Sequence, residues 1–204
     1  GVGVIFYVMS ALRRQLQVQG WFDQQQISAP NMAQYLDLVA LGTVADLVPM
    51  EHNNRILVAQ GVARIRAGKA RPGLLALLSI AKRQHHNLQA SDLGFSVGPR
   101  LNAAGRLDDM SLGIECLLSD NEQIATQLAQ ELDELNAQRR HIEADMQQQA
   151  SNILALLETS QDNQMPKCVC LYHPDWHQGV VGIVASRIKE KWHRPALVLS
   201  LIHI

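Results

Sequence analysis

The sequence predicts an α/β protein that is mostly helical, with a long connecting helix and a strand–helix–strand unit near its C-terminal end. Three observations carry this. Apolar residues recur at helical spacing through most of the first 120 positions. From Asn121 to Glu158, Ile124, Leu128, Leu135, Ile142, Met146, Ile153 and Leu157 follow one another at intervals of four or seven. After Pro166 the pattern changes: Cys168 to Tyr172 reads as a strand, Val180 to Lys191 as a helix, and Ala196 to Leu201 as a second strand. Three regions follow from this, a helical part over 1–120, a connecting helix and linker over 121–160, and the start of a second domain over 161–204.

The elements can be justified in order. Residues 2 to 18 form a helix that stops near Gly20, with Trp21 and Phe22 anchoring the turn. Its opening GVGVIFYVMSAL is too short to span a bilayer and is expected to be buried. It starts so abruptly that an upstream part is expected. Asn31, after Pro30, suits the N-cap of a helix over 31–43. A second helix runs through NNRILVAQGVARIRAG, with Ile56, Ala59, Ala63 and Ile65 inward and Gly68 as its stop. Arg71-Pro72-Gly73 is a turn, LLALLSIAKR a short buried helix, and Ser91 a cap for a helix through Val97. Met110 to Leu118 is helical, and a continuous helix over 121–158 would reach ~60 Å at 1.5 Å per residue. Its apolar stripe suits either a coiled coil or an interdomain helix. Thr159 to Pro166 is a polar linker.

Hydrophobic content of 47% with 18% charged residues is ordinary for a globular protein, and no apolar run reaches the ~20 residues a spanning helix needs. The three cysteines include Cys168 and Cys170, which alternate on one strand face and lack disulfide geometry; a reduced, cytoplasmic setting is expected. The net charge of −1 hides a segregation. Between Asn53 and Leu107 nine Lys/Arg face one acid, Asp92, so that segment is +8 and the remainder −9. Such asymmetry suits either a basic surface for a polyanion or solvated faces balanced by acidic neighbours.

Four places carry candidate chemistry. The run LDLVALGTVADLVPM surrounds Asp46 with apolar residues, so a buried carboxylate is expected there, and burial demands a partner or a cation. A cap, a turn residue or an ion-pair partner would explain an aspartate after a helix equally well. In GPRLNAAGR, small residues form a turn between Arg100 and Arg106, with Asn102 between them; guanidinium forks suit a phosphate, or an ion-pair network with Asp108 and Asp109. The turn HPDWHQG holds His173, Asp175 and His177 before a helix whose N-terminus could receive an anion. The pair His85-His86 is read as an exposed loop, because adjacent residues do not converge on one helix face.

Three of these segments, LVALGTVADLVPM, GPRLNAAGRLDD and HPDWHQGVVGIVASRIKEKWHRPALVLS, resemble in order the motifs of the DHH phosphoesterase superfamily, in its single-strand-specific 5′→3′ exonuclease branch. The resemblance covers Gly1 to about Leu199. It implies a two-domain phosphoesterase in which a long helix joins the catalytic domain to a DHH-associated domain. It further implies a pair of Mn²⁺ or Mg²⁺ ions, with Asp46 a metal ligand and catalytic residue. Single-stranded DNA is the implied partner, with Arg100, Asn102, Arg106 and His177 contacting it, and the implied role lies in DNA repair and recombination. A monomer is expected. The superfamily's Asp-x-Asp and Asp-His-His motifs are expected upstream and its Gly-Gly-His motif downstream, so this chain alone should be inactive. The tail from Ser200 to Ile204 departs from the pattern. The alternatives are a phosphodiesterase for short oligonucleotides or cyclic dinucleotides, and a non-catalytic helical interaction module.

Overall fold

The computed structural model describes residues 1–158 and 166–203. The expected linker over 159–165 and the last residue, Ile204, lie outside the described residues. The chain divides into two compact units, Gly1–Leu101 with Met110–Asp133, and Asn102–Asp109 with Glu134–Ile204.

The first unit is entirely helical among its described elements. Helix α1 (Val2–Val18) ends at Gly20, and α2 (Trp21–Gln24) buries Phe22. None of the residues of α1 is buried, contrary to expectation. Its apolar side chains lie on several faces, and it rests on the next long helix where Val2 meets Gly42, so Val4, Ile5, Val8 and Leu12 stay exposed. Asn31 caps a single 3-10 turn (Met32–Tyr35) by accepting from the Ala33 N–H. Helix α3 (Leu36–Ala45) follows and buries Val39, Ala40 and Leu41.

Helix α4 (His52–Arg66) packs on α3 through Leu57, Val58, Gly61, Val62 and Ile65. A Cβ at Gly61 would overlap the Leu36 carbonyl, which explains the close approach. The inward face is thus rotated from the one expected: Ile56, Ala59 and Ala63 point outward. A large side chain in the sequence is a poor guide where two backbones nearly touch. Helix α5 (Pro72–Ile80) starts on Pro72, whose missing N–H costs nothing in a first turn, and buries Leu74, Leu77 and Leu78. His85 and His86 sit on an exposed 3-10 turn.

The following helical stretch has three parts: α6 (Ala90–Asp92), a π-helical turn (Leu93–Val97) and α7 (Gly98–Leu107). The expected cap at Ser91 is replaced by Gln89, whose N–H donates to Asp92 Oδ2 in a capping box. The segment expected to be a small-residue turn is helix α7. Pro99 cannot donate, and its ring crowds the carbonyl four residues back; the widened turn before it accommodates both. Helix α8 (Ser111–Leu118) then leads to α9 (Glu122–Glu158), 37 residues long, with Asn121 Oδ1 accepting from Gln123 and Ile124.

Along α9 the buried positions are Ala125, Ala129, Leu132, Asn136, Met146, Ala150 and Leu154. The expected stripe shares only Met146 with them; Ile124 is exposed, and the side chain of Leu157 lies outside the described part. Three alanines share the packed side with Leu132, Met146 and Leu154, while larger neighbours such as Ile124 stay outside. The middle of this stripe is polar: Arg139 donates to Glu143 Oε2 and to Asn136 Oδ1. Burial pushes the Arg139 guanidinium below its ordinary pKa, and the Glu143 carboxylate opposes that shift.

The second unit has a two-stranded parallel sheet. Strand β1 (Val169–Tyr172) pairs with β2 (Ala196–Leu199) in the register Val169 with Ala196, and α10 (Val181–Trp192) makes the crossover that parallel pairing requires. Val169, Leu171 and Val198 share a core with Trp176, Val184, Ile188 and the C-terminal part of α9. Among the described residues no helix is long and apolar enough to cross a membrane.

Candidate functional site

Asp46 is the C-cap of α3. Leu47 follows in the left-handed region at φ 52, its N–H bonded to the Val44 carbonyl, and the Val48 N–H bonds to the Thr43 carbonyl. These two bonds are a Schellman ending, which closes the helix and turns the next residues away from its axis. Asp46 is exposed and not buried as expected, because the apolar run around it stops at this turn. The buried carboxylate of the run is Asp37, at 0% exposure, which accepts from the Leu38 and Arg71 N–H groups at 2.8 and 2.9 Å. The Asp46 carboxylate has no such partner among the described residues, and it lies at the negative end of the α3 dipole.

The π-helical turn lies against this end of α3. A Cβ at Gly94 would stand 3.2 Å from Val44 Cγ1, and one at Gly98 would stand 3.3 Å from Ala45 Cβ. Arg100 emerges one turn later. Its Nη1 donates to the Ser96 carbonyl, and its Nε lies 2.8 Å from Asp133 Oδ1, misaligned for a hydrogen bond. A carboxylate partner of Arg100 is thus Asp133.

In the second unit, Arg106 and His177 converge on Gly179. Arg106 Nη1 donates to the Gly179 carbonyl at 3.0 Å, and the Gly179 N–H donates to His177 Nδ1 at 3.1 Å. A Cβ on Gly179 would overlap the Arg106 carbonyl, so only glycine lets the two backbones meet. Asn102 belongs to the same unit and is exposed. His173 stacks on Trp176 and lies 3.8 Å from Asp175.

Much of the basic segment is occupied by carbonyl oxygens. Arg71 holds the Leu117 and Leu118 carbonyls and Asp120, Arg66 holds Leu88, and Arg55 holds Met50. Arg83 Nε lies 3.3 Å from both Ser96 Oγ and Asp92 Oδ1. The sequence pattern gives no weight to Phe95 or Leu47, which stand 81% and 83% exposed beside the end of α3. A lone aromatic within the small-residue stretch LGFSVGPR is the one available signal for Phe95.

Asp46 suits a hard divalent cation as one oxygen donor: it is charged, exposed and unpartnered among the described residues. Among the described residues no group of three or more His, Cys, Asp or Glu side chains could hold a metal, so Asp46 fits as one member of a larger set.

The same arrangement of helices, long helix and α/β beginning occurs in solved exonucleases crystallised with divalent metals. RecJ from Thermus thermophilus in complex with Mg²⁺ superposes with a TM-score of 0.72 at 34% identity, over 88% of this chain and 27% of that one. An exonuclease RecJ bound to manganese gives 0.71 at 35% identity, over 88% of this chain and 43% of that one. In sequence, the chain is 60% identical over 200 residues to the single-stranded-DNA-specific exonuclease RecJ of Escherichia coli K12, and 34% identical to that of Thermus thermophilus. No family model matches the chain. Over nearly its whole length this chain is similar to the RecJ exonucleases. Each of the two alignments takes in 98% of it, and it spans 34% and 27% of the relatives' length.

Proposed function

We propose that this chain is the middle of a metal-dependent exonuclease that hydrolyses single-stranded DNA from the 5′ end, serving repair and recombination in the reducing cytoplasm as a monomer. The observation that carries the reading is the Asp46 carboxylate. It is held at a rigid helix ending, exposed and without a partner among the described residues, at the end of the dipole that least favours an anion. A carboxylate in that position is open to a divalent cation. A Mn²⁺ or Mg²⁺ ion bound there would supply charge stabilisation at phosphorus and would activate a water. Asp46 contributes one oxygen ligand, fixed by the α3 ending. Arg106 uses Nη1 on Gly179 and retains the rest of its fork for a phosphate, with His177 braced beside it. Asn102 offers a further amide donor, and Arg100 braces the turn beside Asp46 while bearing on the strand. With Asp46 the only expected metal ligand in this chain, the chain alone has no activity.

The test uses the complete protein. Asp46→Asn keeps size and hydrogen-bonding capacity but removes the charge. Nuclease rate is measured across a Mn²⁺ titration, and melting temperature with and without metal. Activity is expected to fall by at least ~100-fold, equivalent to about 2.7 kcal/mol of transition-state stabilisation, with metal-free melting unchanged or raised. Near-parental activity at low Mn²⁺ would sink the ligand assignment.

A further inference from the structure

We propose that Phe95 is a stacking platform for a base of single-stranded DNA beside the Asp46 end of α3. The inference rests on the function proposed above and adds a contact to it. Of the three phenylalanines, Phe22 is buried, Phe6 is half-buried, and Phe95 is 81% exposed. An exposed aromatic ring alone would be unremarkable surface. Here the ring stands on a backbone that is fixed from both sides. Arg83 reaches Ser96 Oγ and Asp92, and Arg100 holds the Ser96 carbonyl. Gly94 and Gly98 seat the turn on Val44 and Ala45, the last two residues before Asp46. Helical turns widened in this way recur at functional sites.

The chemistry favours a nucleobase as occupant. Every base has a π-face, so an exposed aromatic ring on a braced backbone can grip a single strand whatever its sequence, as an exonuclease moving along DNA requires. The segment Asn53–Leu107 that carries Phe95 has a net charge of +8, and although Asp120 and Asp133 pair with two of its arginines, it remains complementary to a phosphate backbone. An apolar side chain without a π-face would serve a protein contact equally well, and the test separates the two.

Binding of a single-stranded oligonucleotide containing 2-aminopurine is followed by fluorescence in the complete protein, beside KM and kcat. Phe95→Ala and Phe95→Leu are each expected to weaken binding roughly tenfold and to raise KM, leaving kcat and the salt dependence of binding near parental. Phe95→Trp retains parental affinity. Phe95→Leu preserves apolar bulk, so it keeps the test informative should Phe95→Ala melt early. Parental binding by Phe95→Leu overturns stacking and marks an apolar contact, and parental binding by Phe95→Ala overturns any role. Failure of the unmodified protein to bind single strands overturns the function on which the inference rests, a result independent of the Phe95 variants.

Discussion

Helix α3 carries an aspartate at each end, and the two have opposite environments. Asp37, in the first turn, is fully buried, accepts two backbone N–H groups and sits at the positive end of the helix dipole. Asp46, at the C-cap, is exposed, unpartnered among the described residues and at the negative end. The protein supplies hydrogen bonds and a favourable dipole to Asp37, which water cannot reach, whereas at Asp46 it supplies neither and leaves the carboxylate to solvent. Asp37 is therefore explained by folding: its Oδ2 ties α3 to the start of α5 through the Arg71 N–H, while the Arg71 side chain grips the C-terminal carbonyls of α8. Asp46 makes no such tie among the described residues, which leaves its carboxylate open to a ligand role. The contrast teaches that burial of a carboxylate marks structure at least as often as chemistry.

The same substitution at both ends tests this directly. Asp37→Asn replaces one acceptor oxygen by an NH₂ group, so one of the two buried N–H donors loses its partner. A loss of ~2 kcal/mol is expected, lowering the melting temperature by roughly 4–8 °C for a chain of this size. Asp46→Asn should leave melting unchanged or raise it. Equal melting of Asp37→Asn and the parent would break the contrast at its structural end.

The sequence reading locates α3, the capping role of Asn31 (on the 3-10 turn before α3 instead of on the helix itself), the helix stop at Gly68 and the strand–helix–strand unit, because each rests on local chemistry. It fails where the decision is tertiary. On α4 and α9 the inward faces are chosen by Gly61 and by Ala125, Ala129 and Ala150, small residues whose value lies in how closely another backbone can approach. No hydrophobic periodicity favours them over a neighbouring isoleucine. The environment of Asp46 is the inverse of the one expected: the same apolar run contains two aspartates, and composition cannot tell which one a Schellman ending turns outward. The pairing of Arg106 with His177 through Gly179 spans more than 70 residues and leaves no local trace.

A buried thiol sharpens the comparison, because it lacks the strong partners that Asp37 has. Cys116 is fully buried, with long sulfur contacts to the Gly73 and Ala125 carbonyls, and burial pushes its thiol up from 9.0 to about 11. The unfolded chain releases this proton near pH 9 while the folded chain retains it. The unfolded state then binds fewer protons, so stability is intact below pH 9 and declines as pH rises toward 11, by up to ~2 kcal/mol. Urea melts at pH 8 and pH 10.5 should show this decline in the parent and a shallower one in Cys116→Ala. Equal slopes would mean that the thiol does not sense its burial.

The smallest expected effect concerns the residue after Asp46. Helices α3 and α4 end with the same pair of hydrogen bonds, Leu47 to Val44 with Val48 to Thr43, and Gly68 to Ile65 with Lys69 to Arg64. Both turning residues have positive φ, 52 at Leu47 and 68 at Gly68. Glycine adopts that conformation freely, whereas a leucine there brings its Cβ against the following carbonyl at a cost of about 1 kcal/mol. The Leu47 side chain recovers little by packing, since it is 83% exposed. Leu47→Gly should therefore stabilise the fold by ~0.5–1 kcal/mol once the larger entropy of the unfolded glycine is counted, raising melting by roughly 1–4 °C. Gly68→Ala should move it the other way by a similar amount. If the strained leucine is retained to fix Asp46 and to flank the strand, Leu47→Gly in the complete protein will melt higher yet cleave single strands more slowly. A variant both more stable and fully active would show that the leucine serves neither purpose, and would leave Asp46 positioned by the two backbone hydrogen bonds alone.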